Sequence, residues 1–376
     1  MIQYLYKYLL IFFIQIILSS TSYAQFITTW KTSNPGKSNH NQITIPGKGS
    51  YQIAWQEIGN LANKGIAQGK DETTLTFPKV GTYQISITGE LRQIQFVNWG
   101  DNPKLLSIDQ WGNITWTSME KAFAGCKNMT CLATDAPNLN QVTSLKQMFK
   151  GCTQFNGKIG HWNTSKVEDM SSLFWGAEKF NQPIGQWNTN KVTNMKQMFR
   201  EAMTFNQPIG QWNTSKVTNM SYMFMNTYAF NQPIGQWNTS QVTNMEAMYF
   251  GAIHFNQPIG AWNTSKVTNM RKKYWRAYVF NQPIVQWNTS QVTNMTEMFF
   301  GAKAFNQPIG AWNTSQVTNM EAMFLEAKAF NQPIGKWNTS QVSNMSRMFQ
   351  RAKAFNQPIG KWNTSQVTDM SSMFWR

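Results

Sequence analysis

Val217-Thr218-Asn219-Met220-Ser221-Tyr222-Met223-Phe224-Met225-Asn226-Thr227-Tyr228-Ala229-Phe230-Asn231-Gln232-Pro233-Ile234-Gly235-Gln236-Trp237-Asn238-Thr239-Ser240 is one copy of a unit that recurs along most of this chain. Its phenylalanine returns every 25 residues from Phe155 to Phe355, its tryptophan from Trp162 to Trp362 and its methionine from Met170 to Met370, without an insertion. A period this strict marks a repeat architecture: one short unit cannot bury its apolar side alone, and stacking it on like neighbours makes a continuous core.

The unit has two halves. Val217, Met220, Met223, Phe224 and Thr227 follow a spacing of three and four, which predicts about three turns of amphipathic helix. Thr243-x-x-Glu246 and Thr318-x-x-Glu321 have capping-box spacing at the expected helix start. Phe230 to Trp237 holds Pro and Gly and is too short for a helix, so it reads as a brief extended segment, closed by an Asn238-Thr239-Ser240 turn. Asn231 and Asn238 are expected to form ladders that satisfy backbone groups. Trp237 continues the apolar stripe of Phe230 and Ile234 and is expected in the core.

Upstream, Trp111, Trp116, Met119 and Phe123, and then Val142, Leu145, Met148 and Phe149, mark two diverged copies. Residues 26 to about 100 lack the repeat. Alternation at Gln42-Ile43-Thr44-Ile45, Tyr51-Gln52-Ile53, Thr74-Leu75-Thr76-Phe77 and Tyr83-Gln84-Ile85-Ser86-Ile87 predicts short strands in a small sandwich. Residues 1–24 carry the grammar of a secretory leader: an apolar run from Tyr8 to Leu18 and then Ser22-x-Ala24. The expected organisation is therefore a signal peptide at 1–24, an all-β domain at 25–103 and a repeat array at 104–376. Within the array, the diverged copies occupy 104–154 and the regular copies 155–376. No transmembrane segment is expected after leader cleavage.

The recurring Val-Thr-Asn-Met-x-x-Met-Phe-x-x-Ala-x-x-Phe-Asn-Gln-Pro-Ile-Gly-x-Trp-Asn-Thr-Ser resembles the BspA-like leucine-rich-repeat surface proteins of bacteria, over roughly residues 105–374. The resemblance implies a leucine-rich-repeat-like α/β solenoid of about eleven 25-residue repeats, displayed at a cell surface or secreted, with adhesion as its role. Phe77-Pro78-Lys79-Val80-Gly81-Thr82-Tyr83-Gln84-Ile85-Ser86-Ile87 resembles the last strands of a PKD-type immunoglobulin-like domain, although Trp55-Gln56-Glu57-Ile58-Gly59-Asn60 stands where that family has Trp-Gly-Asp-Gly.

The repeats hold no catalytic constellation in fixed register, so catalysis, a metal and a cofactor are not expected. His161 and His254 occupy variable slots before Trp162 and Phe255 and read as surface residues. Cys126 and Cys152 take a slot that Ala177, Ala202 and Ala252 fill elsewhere, so they read as small buried residues, not as a bridge. Recurrent Asn-Thr-Ser, as at Asn163-Thr164-Ser165, is a formal glycosylation sequon that turn geometry explains. The net charge of +16 favours anionic surfaces, and with no nucleic-acid module present the expected partner is a host or neighbouring-cell surface protein or an anionic glycan. Gln211, Lys216, Gln236, Ala261 and Lys336 are expected on one accessible face. One unit departs from the rest: Arg271, Lys272, Lys273, Tyr274, Trp275, Arg276 and Tyr278 form a basic-aromatic stretch. It reads either as repeat decay, with Lys273 snorkelling outward, or as a ligand-contact patch.

Overall fold

A computed structural model describes residues 25–96 and 100–375. The expected leader lies outside the described residues. Among them there is no α-helix, and the only helical element is a three-residue 3-10 turn at Asn102–Lys104. The described residues are therefore β and turn structure, and the expected leucine-rich-repeat-like α/β solenoid is overturned.

The N-terminal segment forms β1 (Phe26–Lys31), β2 (Gln42–Glu57), β3 (Asn60–Thr76), β4 (Thr82–Gly89) and the short β5 (Gln93–Ile94). Alternate side chains such as Phe26 and Trp30, Ile43 and Ile45, and Tyr83, Ile85 and Ile87 point into the core, the period-two pattern of a half-buried strand. Two further strands, β6 (Leu105–Gln110) and β7 (Thr130–Cys131), complete one sheet of order β3-β2-β4-β1-β6-β7, with β5 paired separately to β2. The expected two-sheet, PKD-like sandwich is not formed. Its second layer is the end of the repeat array: Phe26 packs on Trp111 at 5.8 Å and edge-on to Trp116 at 5.2 Å, and Phe96 lies against Phe123 at 6.4 Å. β6 pairs antiparallel with β1 on one side and parallel with β7 on the other, so the sheet changes direction where the repeats begin. At the same junction Lys104 Nζ donates to the carbonyls of Ser38, Asn39 and Gln42 at 2.9 Å each, and Asp101 accepts from the Thr44 N–H at 2.6 Å.

Each 25-residue unit makes one coil, and successive coils are joined by a single parallel bridge such as Asn219↔Asn244. The half expected to be helical is a run of overlapping β-turns. Met223, Met225 and Thr227 N–H groups donate three residues back, to Met220, Tyr222 and Phe224. The intervening Met220, Tyr222, Phe224 and Asn226 N–H groups donate forward, to Asn244, Glu246, Met248 and Phe250 of the next coil. Every second donor thus serves the stack, which a helix with its internal ladder could not do. Left-handed residues at Tyr222 (φ 60°) and Asn226 (φ 55°), repeated in the other coils, interrupt helical geometry within each turn. The expected capping box is replaced by an Asn turn, in which Asn244 Oδ1 accepts from the Glu246 N–H at 2.8 Å.

The buried positions are those the spacing picked out, because overlapping turns return a side chain to one side every three or four residues. Val217, Met220, Met223, Phe224 and Thr227 are all fully buried. Phe224 stacks on Phe230 of its own coil at 4.0 Å and on Tyr249 of the next at 5.8 Å. The extended half adds polar ladders: Asn206 Oδ1 accepts from the Asn231 N–H and from Gln232 Nε2, both at 3.0 Å. In the Asn-Thr-Ser turn, Asn238 Oδ1 accepts from the Ser240 N–H at 3.0 Å, while the buried Thr239 hydroxyl donates to the Asn263 carbonyl at 2.9 Å. Cys126 and Cys152 are buried free thiols, pushed far above the ordinary thiol value by burial.

The left-handed slot of Asn226 is filled by Gly176, Gly251 and Gly301 in some coils and by Glu326 (φ 59°) in another. A left-handed backbone costs a non-glycine residue roughly 1–2 kcal/mol. Glu326→Gly also loses an exposed contact to Arg351 at 3.2 Å, which is worth little. The variant is expected to gain about 1 kcal/mol in urea unfolding; a lowered midpoint would contradict the strain assigned to this slot.

Candidate functional site: the variable turn face

Comparison of the coils separates two kinds of outward surface. The half running from Phe230 to Met245 is nearly the same in every copy, whereas outward slots of the turn half differ from coil to coil. Gln211, Lys216, Gln236, Ala261 and Lys336 are all exposed, as expected, but they belong to the constant half.

The outward slot after the buried Phe224 carries, in successive coils, Met225, Phe250, Trp275, Phe300 and Leu325. Trp275 is half-buried between Phe250, 4.0 Å away and 6° from parallel, and Phe300, 5.1 Å away and 22° from parallel. These rings cover one another's faces, so the row presents edges, not faces, to a ligand. A sugar ring, which would need a free aromatic face, has no platform here. Ring edges carry partial positive charge and suit carbonyl and carboxylate oxygens.

Charged groups border the row. The Arg276 guanidinium lies 4.4 Å from the Trp275 ring centroid. Arg271 pairs with Glu246 of the preceding coil at 3.0 Å, and Lys272 with Glu297 of the following coil at 3.4 Å. Lys303 sits 4.2 Å from the Tyr278 ring. Burial, and then the neighbouring Glu246 carboxylate, push the Tyr222 phenol up to about 12, so it stays a neutral donor. Toward the other end Trp175 is held between Lys150 at 3.9 Å and Arg200 at 4.3 Å, with its indole N–H donating to Glu201 at 3.1 Å.

The basic-aromatic stretch is therefore divided by the fold. Arg271, Lys272, Trp275, Arg276 and Tyr278 reach the surface, whereas Lys273 and Tyr274 are fully buried. Lys273 does not snorkel. It occupies the slot of Met248 and Met298, closed by a coil on each side, and its Nζ lies 2.9 Å from Met245 Sδ and 5.1–5.7 Å from the rings of Tyr249, Trp262, Tyr274 and Trp287. Burial holds its amine well below the ordinary lysine value. The participation of Phe250 and Phe300 escaped the sequence reading, which treated one coil at a time; the signal was the succession of large apolar residues in one slot at 25-residue intervals.

Among the described residues no group of three or more His, Cys, Asp or Glu is placed to hold a metal ion, and no helix is long and apolar enough to cross a membrane. His161 and His254 lie on the surface, the former with its ring Nε2 3.2 Å from the Asp135 carbonyl.

No curated protein and no solved structure matches the chain. One family profile does, in three overlapping stretches at residues 117–224, 205–308 and 279–376, which follow the coils from the first diverged copy onward. Spanning most of the molecule, this match makes the chain a repeat protein of the family described as Mycoplasma protein of unknown function, DUF285.

Proposed function

We propose that this is a non-catalytic binding protein, secreted or held at the cell surface in the manner of BspA-like adhesins, whose variable turn face engages a protein on a host or neighbouring cell. The observation that carries this reading is the concentration of differences between coils in outward turn slots, above a core and a constant half that hardly change. Selection for stacking alone gives no reason to gather tryptophan, tyrosine and arginine in one outward stretch, and these are the residues that dominate protein interfaces. Glu246 with Arg271 and Lys272 with Glu297 set a fixed pattern of both signs at the rim of such a surface, which favours a partner of complementary charge and opposes one that meets it with like charges. A spacer without a ligand is the second reading, favoured by the sameness of the constant half.

The test exchanges residues 271–279 for the aligned stretch of the next coil, residues 296–304, which already folds in this stack. Labelled wild-type protein is expected to bind cultured cells saturably, with the exchanged variant weakened at least about tenfold, as loss of one hot-spot cluster implies. Equal binding by both would remove the turn face from the function, and no saturable binding by either would leave the spacer.

A further inference from the structure

Lys166, Lys191, Lys216 and Lys266 occupy one outward slot of the constant half, and all four are exposed. The parallel bridges Asp169↔Asn194 and Asn194↔Asn219 hold three of the four in register on consecutive coils. Side chains of this slot reach one another: Lys266 Nζ donates to Gln241 Oε1 of the preceding coil at 2.7 Å. Lys166, Lys191 and Lys216 are thus spaced by one coil along a row, close enough to repel each other, and Lys266 follows two coils on, beyond Gln241.

Carboxylates do not relieve that repulsion. On the turn half, Glu246, Glu297 and Glu326 are each paired with a cation. None of the four lysines has a carboxylate partner among the described residues, and Glu168, exposed in the adjoining slot, is in no ion pair. The same slot holds Gln241, Gln291, Gln316, Gln341 and Gln366 in other coils, so the stack does not require a cation there.

We propose that this row is a binding track for a linear polyanionic polysaccharide, lying along the stack on a different surface from the turn face and independent of it. A polymer with regularly placed sulfate or carboxylate groups meets an ammonium on three consecutive coils and another two coils on, and releases the counterions held by both partners. The surroundings favour sugar over nucleic acid. The exposed Asn188 and Asn263 side chains keep Nδ2 donors for sugar hydroxyls while their Oδ1 atoms hold the turns, and the exposed Thr193 and Thr218 hydroxyls, which donate to the Glu168 and Thr193 carbonyls, can still accept. The tryptophans beside them are buried and present no ring on which a base could stack.

The experiment measures binding of the full chain to dextran sulfate, to uncharged dextran and to single-stranded DNA, for the wild type and for a variant carrying Lys166→Gln, Lys191→Gln, Lys216→Gln and Lys266→Gln. Glutamine is this protein's own alternative at the slot, so the variant keeps the stack, which a matching thermal transition verifies. Wild-type protein is expected to bind dextran sulfate with an affinity that falls steeply with salt, and the variant to lose about tenfold or more. Uncharged dextran is expected not to bind. Unchanged binding by the variant, or no binding of dextran sulfate by the wild type, would overturn the track; single-stranded DNA binding tighter than dextran sulfate would overturn the choice of polymer. The exchange of residues 271–279 is expected to leave dextran sulfate binding within about twofold, which separates this proposal from the one for the turn face.

Discussion

Trp237→Ala is expected to lower the unfolding free energy by about 3–5 kcal/mol, as other large aromatic truncations in packed cores do. Trp237 is 3% exposed and stacks on Trp212 at 6.5 Å and Trp262 at 6.2 Å. Its indole N–H donates to the Ile209 carbonyl of the preceding coil at 3.1 Å. Truncation therefore opens a cavity shared by three coils and removes one of the two hydrogen bonds that the Ile209 carbonyl accepts, the Trp212 N–H at 3.2 Å remaining, so that the cavity dominates the loss. Urea unfolding followed by circular dichroism checks this. A transition unchanged from wild type would mean that the tryptophan column is not core.

Lys273→Met should move stability the other way, by on the order of 3 kcal/mol at neutral pH, the scale of keeping an unpartnered amine buried when the unfolded chain can protonate it. Lys273 is fully buried with no carboxylate partner among the described residues, and Tyr249 and Tyr274, which replace the usual phenylalanine in two adjoining coils, bury hydroxyls without a hydrogen-bond partner. The sign of the pH dependence follows from the depressed amine. Above the ordinary lysine value of about 10.4 the residue is neutral both folded and unfolded and costs no charge. As pH falls below that value the unfolded chain takes up a proton that the folded chain does not, so stability is lost progressively. The loss stops growing once pH passes below the folded-state value. Wild-type stability should therefore rise from neutral pH toward pH 10, and the methionine variant should lack that rise. Parallel curves for the two proteins would show that Lys273 is not buried as an amine.

The periodicity, the order of the core and the buried tryptophan were legible because burial depends on which side of the chain a residue faces. Helix was the wrong inference because Val217, Met220, Met223, Phe224 and Thr227 keep the same spacing in overlapping turns as in a helix. The discriminating fact is the left-handed backbone at Tyr222 and Asn226, which neither residue announces; glycines in the second slot, Gly151, Gly176, Gly251 and Gly301, hinted at it. The single N-terminal sheet was equally hidden, since strand alternation shows that Phe26 and Trp30 need cover without saying that Trp111 and Trp116 supply it. Lys273 was misplaced because a snorkelling side chain needs an edge nearby, and only the three-dimensional stack shows that there is none.

The single-bridge junction, repeated as Asn219↔Asn244, Asn244↔Asn269 and onward, leaves the array without internal addresses. A gene that loses or duplicates a stretch encoding 25 residues rejoins like with like wherever the break falls within the regular copies, and every hydrogen-bond type survives. A change that is not a whole number of units would put polar turn residues into the aromatic columns of the regular copies. Recombination between copies can therefore lengthen or shorten the array, and shuffle one coil's turn face against another's, without passing through an unfolded intermediate sequence.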